Sequence, residues 1–382
     1  MSGRPDAIVV GAGVVGSACA RALAADGLRV LVLDADAPGG GATASAMGHI
    51  VAMDDSPAQL ALTACSRRLL HELAPALPPG CELDECGTLW LAEDEVQLAA
   101  ARARQAGYEA GGVAAEVLDA QALVEAEPQL RRDLAGALRI PGDAVVYPVA
   151  LAHWLLEQAK ERGAEVRAGA RVEEVAPGSV VVRGERLDAG LVVNAAGAGA
   201  PALMPALPIV PRKGHLAITA RYPGFCRHEL VELGYLESAH GPSAESVAFN
   251  VQPRATGQLL VGSARELVGW DESLNRALLA RMLARAVAFL PALARLQVLR
   301  VWTGFRPASA DGLPFIGPWY DERLWVAAGH EGLGITMALG TASLLADLIV
   351  GREPALDPAP FAPARLRARA SRPQAAASDA GA

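Results

Sequence analysis

The stretch AIVVGAGVVGSACARALAADGLRVLVLD, residues 7–34, decides how this chain is read. It opens on four apolar residues, Ala7 to Val10, and turns at Gly11-Ala12-Gly13-Val14-Val15-Gly16. An Ala-rich segment from Gly16 to Ala25 closes at Gly27, and a second apolar run follows from Arg29 to Leu33. Two continuous apolar runs joined by a helical segment predict a βαβ unit of a parallel sheet, because strands buried on both faces lose polar alternation. Glycine is common here, 39 of 382 residues, so three at fixed offsets decide little alone. Their place between a strand and a helix does decide, together with the acid Asp34 at the end of the second strand. Such glycines let backbone approach a pyrophosphate, the helix start supplies N–H groups and a positive dipole, and Asp34 can accept from a ribose hydroxyl. Gly11, Gly13, Val14, Val15, Gly16, Asp34 and the adjoining Ala35 are therefore candidate dinucleotide contacts.

Outward from that unit comes a glycine-rich turn, Gly39-Gly40-Gly41-Ala42-Thr43-Ala44-Ser45-Ala46-Met47-Gly48. Ser56-Pro57-Ala58-Gln59 has the form of a capping box with proline at the first helical position, predicting a helix to about Leu73. Residues 82–145 read as an insert, with a strand at Thr88 to Leu91 and a helix at Glu93 to Ala106. Pro148 to Arg162 predicts another helix, followed by short strands around Val166, Val172 and Val180 and by Leu191 to Asn194 entering a turn at Ala196-Gly197. From Ile209 to Arg300 the pattern becomes alternating strands, among them Leu216 to Thr219, Ser246 to Val251 and Leu259 to Gly262, with one helix near Leu274 to Phe289. A last strand, Leu324 to Gly329, meets a helix running from about Ile335 to Val350, and the Ala-, Arg- and Ser-rich tail after Pro363 is expected to be disordered. The fold class expected is α/β. A Rossmann-like cofactor domain (1–80, 147–208 and 301–362) interleaves with an α+β substrate domain (81–146 and 209–300) on a mixed, largely antiparallel sheet.

Composition bounds the function. With 52% hydrophobic and 20% charged residues the chain is too apolar for extensive disorder. The longest uncharged stretch, Ala189 to Pro211, holds Asn194 and four prolines and reads as strand plus loop, not a membrane helix. No basic n-region and apolar h-region precede the strand at Ala7, so the expected compartment is the cytoplasm, with peripheral attachment to the inner membrane as the alternative. Five cysteines without a C-x-x-C pair argue against a disulfide framework and against a metal knuckle. The net charge of -8 argues against nucleic acid and leaves an anionic substrate to be caught by a placed arginine.

Two features favour FAD over NAD. The turn after Asp34 offers further backbone N–H groups near the same pyrophosphate, and the segment Gly329 to Thr336 can bring a second helix start beside a flavin ring, where its dipole would stabilise the reduced anion. The chain then resembles the D-amino acid oxidase superfamily of FAD-dependent amine oxidoreductases, the group of glycine and sarcosine oxidases. The matching residues are the fingerprint with Asp34, Thr43 to Gly48, Asn194 to Gly199, Pro211-Arg212-Lys213-Gly214, Gly304-Phe305-Arg306-Pro307, Asp311 to Gly317, and Gly329-His330 with Gly334-Ile335-Thr336. Within it, Met47 to Ser56 and Gly234 to His240 are similar to bacterial D-hydroxyproline dehydrogenases. The resemblance implies an FAD-binding domain of the GR2 type and extends the cofactor contacts to Thr43, Ala44, Ser45, Met47, Gly48, Val172, Ala196, Gly197, Arg306, Gly332, Leu333, Gly334, Ile335 and Thr336. It makes Arg306 the binder of the substrate carboxylate, a task suited to a guanidinium, which donates two parallel hydrogen bonds. Relatives that attach the flavin use a cysteine where Gly304 stands or a histidine near Ser45, so noncovalent FAD is expected. A tyrosine of glycine oxidase-like relatives corresponds to Asn250.

The reaction implied is oxidation of an amine α to a carboxylate, 4-hydroxy-D-proline being the leading substrate, with hydride passing to the flavin. If the bound amine is neutral, positioning at about 3–3.5 Å suffices and no strong base is required. His49 and His330, both in glycine-rich turns, and Tyr235 are the groups expected to orient the substrate's amine or hydroxyl. The electron acceptor is oxygen, a quinone or a partner redox protein, and assembly into homo- or hetero-oligomers is left open. Alternatives are a sarcosine, glycine or opine oxidase or one subunit of such a complex, a tRNA-modifying flavoprotein domain, and a flavin-holding subunit without chemistry.

Overall fold

The computed structural model describes residues 3–234 and 245–366. Tyr235 and the tail from residue 367 lie outside them. A six-stranded sheet runs in the order Phe315–Asp321, Leu324–Ala328, Leu191–Asn194, Ala7–Val10, Val30–Leu33, Glu165–Arg167. All its pairings are parallel except that of Phe315–Asp321 with Leu324–Ala328. The strand Ala7–Val10 is buried at every position, as its unbroken apolar run requires. Helices Val14–Ala25, Pro148–Lys160, Pro57–Leu73 and Gly334–Val350 cover one face and share an aliphatic core that includes Leu23, Leu62, Leu155 and Leu345. Each fully buried leucine there contributes about 2 kcal/mol.

An eight-stranded sheet is ordered Val298–Ser309, Ile209–Thr219, Leu259–Glu266, Glu245–Pro253, Glu229–Glu232, Thr88–Ala92, Gly136–Ile140, Glu116–Asp119, with one parallel pairing, Glu229–Glu232 against Thr88–Ala92. Its mixed, largely antiparallel character is the one the sequence predicts. Helix Arg276–Phe289 packs its Leu278, Met282 and Phe289 against Phe249, Val251 and Ala217 on one face of this sheet. The other face turns toward the glycine-rich ends of the six-stranded sheet.

Several expectations are corrected. The first helix begins at Val14, with Gly13 as its cap, not at Gly16. The turn at 39–48 contains a helical turn, Gly41–Ser45. A boundary at residue 301 falls inside the strand Val298–Ser309, which pairs with Ile209–Thr219 along almost its whole length and so stays on the eight-stranded sheet to residue 309. The insert is not separate at its end, since Ala144–Val145 pairs with His49–Ile50. Pro363 to Leu366 is tied down, because Arg365 binds Asp311 at 3.0 Å and covers the Phe315 ring. The segment Glu331–Val350 is long and apolar enough to cross a membrane, but it is the central core helix, packed against Val14–Ala25 and Pro57–Leu73.

Candidate active site

The fingerprint forms a backbone cradle. Gly11 adopts φ +104 and donates its N–H to Leu33 O at 2.8 Å. A Cβ on Gly16 would stand 1.9 Å from Gly11 O, so the helix can start this close to the strand only with glycine there. The Val14–Ala25 helix has no side-chain cap from Gly13; Thr43 Oγ1 accepts from Val14 N at 3.1 Å instead and ties the second glycine turn to the first. Asp34, at the end of Val30–Leu33, accepts from Ala12 N at 2.5 Å and Asp36 N at 2.8 Å and remains half-exposed. Ala35 adjoins it. Val172 is buried in the apolar cluster that includes Leu33, and Ala170 N donates to Asp34 O at 2.7 Å. Ala196 and Gly197 form the turn beside Gly11, where Ala196 N donates to Asn194 Oδ1 at 3.2 Å. A glycine-lined helix start facing an anchored acid suits a dinucleotide pyrophosphate and its ribose, so these residues fit FAD.

The second wall is the inner face of the eight-stranded sheet. Trp302, Gly304 and Arg306 alternate onto one face of Val298–Ser309. Trp302 Nε1 donates to Ser45 O at 3.1 Å, and a Cβ at Gly304 would stand 2.5 Å from Ser45 Cβ. Gly304 and Ser45 thus lie against each other. Arg306 Nη1 donates to Ala264 O at 3.1 Å, and Gly332 backs its guanidinium closely. Across the ladder Arg212 pairs with Glu331 at 2.8 Å. Burial pushes the Glu331 carboxyl up, but the guanidiniums of Arg265, Arg306 and Arg212 outweigh it and hold it below its ordinary value. Three cations around one carboxylate leave a positive site for an anion.

Farther along the same face, Asn250 and Gln252 are buried, with Oδ1 and Oε1 lacking hydrogen-bond donors among the described residues, and Met47 packs toward Gly262. His49 reaches Glu229, with Nδ1 2.5 Å from Oε1 of a carboxylate that is 1% exposed. Burial pushes Glu229 up more than His49 pulls it down. Behind it, burial raises Asp143 to about 7 against the pull of Arg67, 3.2 Å away, and of Ala52 N.

Arg306, His49 and Asn250 are therefore brought together with Thr43, Ser45, Met47 and Gly48. Ala44 is exposed on the outer side of its helical turn. Among the C-terminal residues, Gly332, Leu333 and Gly334 form the approach to the last helix, while Ile335 enters the core. Thr336 spends its hydroxyl within the protein, donating to His49 O at 2.9 Å and accepting from Val51 N. His330 does not join the site. Its ring is buried, Nε2 meets Thr341 Oγ1 at 3.0 Å, and burial lowers its pKa to about 3, so it is a neutral packing residue. Sequence reasoning missed Glu229, Gln252, Arg265 and Glu331. The alternation Phe249-Asn250-Val251-Gln252 signalled a polar strand face; nothing local marked Glu229.

Comparison with known proteins agrees with this construction. Residues 6–348 match the family described as DAO, FAD dependent oxidoreductase. Glycine oxidase of Pseudomonas aeruginosa is 32% identical over 94% of this chain and 98% of its own length. D-amino acid dehydrogenase of Xanthobacter autotrophicus is 31% identical over 73% of this chain and 67% of its own. The crystal structure of glycine oxidase from Geobacillus kaustophilus superposes with a TM-score of 0.84 at 28% identity, over 94% of this chain and 98% of that one. With its fingerprint cradle and the arginine facing it, this chain belongs to the DAO family of FAD dependent oxidoreductases and is an FAD-dependent amine oxidoreductase.

Proposed function

We propose that this enzyme oxidises a small α-amino or α-imino carboxylate, with 4-hydroxy-D-proline as the preferred substrate, to the corresponding imine, and that its FAD is noncovalent. The observation that carries the reading is Arg306 on the same inner sheet face as Asn250 Oδ1 and Gln252 Oε1, buried acceptors without a donor among the described residues. Bound FAD supplies the two-electron acceptor. Arg306 holds the carboxylate through paired, charge-assisted hydrogen bonds and so fixes the adjacent C–H bond in orientation. The buried amide oxygens accept from N–H or O–H groups of the substrate, and a ring hydroxyl satisfies an acceptor that an unsubstituted amino acid leaves bare. The long match to glycine oxidase favours a second reading, glycine or sarcosine as substrate. Anaerobic bleaching of the bound flavin by D-hydroxyproline, D-proline, sarcosine, glycine and D-alanine separates them. Preference for the hydroxylated imino acid supports the first reading, and preference for glycine or another primary amino acid overturns it. Flavin that stays with the protein after acid precipitation contradicts noncovalent binding.

A further inference from the structure

Amino and imino acids arrive in neutral solution with the nitrogen protonated, a form with no lone pair to support departure of the hydrogen on Cα. We propose that His49 takes that proton on Nε2 and that Glu229 is the positioning residue that holds the ring for the task; this rests on the amine-oxidation reading above. The geometry commits one ring nitrogen and presents the other. His49 Nδ1 lies 2.5 Å from Glu229 Oε1 as an ion-pair contact, and among the described residues neither carboxylate oxygen has a hydrogen-bond donor. His49 Nε2 is buried and also without a partner. The backbone of His49 is fixed on two sides, by the ladder to Val145 and by Thr336 Oγ1, which donates to its carbonyl at the start of the last helix. Register puts the pair on the substrate wall: Leu230 opposes Val251, so Glu229 shares a face with Asn250 and Gln252.

With Nδ1–H turned to the carboxylate, a neutral imidazole carries its lone pair on Nε2. In the step, one N–H bond of the substrate ammonium breaks, its electron pair stays on the substrate nitrogen, and the proton forms Nε2–H. The imidazolium charge is met by the Glu229 carboxylate, and no oxidant is needed. A buried carboxylate behind a histidine is an arrangement that orients a base and offsets its charge. Among the described residues, the other titratable or charged groups facing the pair are Cys86, ahead of Thr88–Ala92, the buried Cys226, and Asp143 with Arg67 from the Pro57–Leu73 helix.

The test is the rate of anaerobic flavin bleaching by D-hydroxyproline as a function of pH, on FAD-loaded full-length enzyme. Glu229→Gln is expected to slow bleaching at neutral pH by about 10²-fold. Its acid limb should move up toward the pKa of the substrate ammonium, and its rate should rejoin the wild type at alkaline pH, where the substrate arrives neutral. His49→Gln should behave alike, and Glu229→Asp should recover part of the rate. Spectral perturbation by pyrrole-2-carboxylate, which has the carboxylate but no basic nitrogen, should keep its affinity in all three variants. If both Gln variants superimpose on the wild type, or lose the same factor at every pH, the proposal is overturned while the amine-oxidation reading stands. If no amine bleaches the wild type, that reading fails and the proposal with it. Should Glu229→Gln fail to fold, the pH profile of His49→Gln decides.

Discussion

The two walls of the site are built by different means. The cofactor cradle is local: Gly11, Gly13 and Gly16 act within one strand-to-helix turn, and their acid partner Asp34 ends the next strand. The opposite wall gathers His49, Glu229, Asn250, Gln252 and Arg306 from four strands, and no two of those strands except Glu229–Glu232 and Glu245–Pro253 are hydrogen-bonded neighbours. Backbone constraints leave marks at fixed offsets. Convergence of side chains is set by register, which leaves only alternation behind.

The sharpest way to break the comparison is to damage one wall and read the other. Gly16→Ala puts a Cβ into the Gly11 carbonyl and should abolish FAD retention, seen as loss of flavin absorbance in the purified protein; full retention would show that the cradle tolerates what its geometry forbids. Arg306→Ala should leave the bound flavin spectrum unchanged while kcat/KM falls about 10²- to 10³-fold, the size of about 3–4 kcal/mol of charge-assisted binding. Loss of FAD in that variant would place Arg306 with the cradle instead.

A smaller effect separates the buried titrating groups behind the walls. The folded pKa of Asp143 is raised to about 7 from 3.8, so the folded state holds its extra proton between those values and gains stability as pH falls through them. His330 is the reverse, lowered to about 3 from 6.5, so the unfolded state holds the extra proton and stability is lost as pH falls below 6.5. The two oppose each other in mildly acidic solution. Relative to wild type, urea unfolding of Asp143→Asn should lose about 1.4 kcal/mol more per pH unit on acidification, and His330→Gln should lose about that much less. Equal slopes in all three proteins would refute both assignments. Least of all, Trp302→Phe removes the hydrogen bond to Ser45 O and should cost about 1 kcal/mol of stability by the same measurement, with FAD retained; a neutral change would show that the bond adds nothing across the walls.

What was legible follows the same division. The βαβ unit, Asp34 and the cap at Ser56 stand where the sequence puts them, since each is decided within a few residues; Ser56 Oγ accepts from Gln59 N at 3.2 Å, although Gln59 Oε1 returns no bond. Arg306 was legible through the resemblance of its motif, not through its surroundings. His330 was misplaced because a glycine turn tells where a backbone goes and not which way a ring points, and helix packing turned this ring inward to Thr341. The boundary at 301 failed because the strand Val298–Ser309 reaches past it to complete its ladder, a demand of the partner strand. Glu229 was invisible because an acid at either end of the short strand Glu229–Glu232 looks like any edge charge until the fold sets Glu229 against His49.

The most direct test is anaerobic titration of FAD-loaded wild type and Arg306→Ala, side by side, with D-hydroxyproline. Saturable bleaching of the wild-type flavin, with bleaching of the variant shifted to at least about 10²-fold higher substrate concentration at an unchanged oxidised spectrum, is the predicted result. Equal sensitivity of the two proteins, or no bleaching of the wild type by any amino or imino acid, would contradict the account.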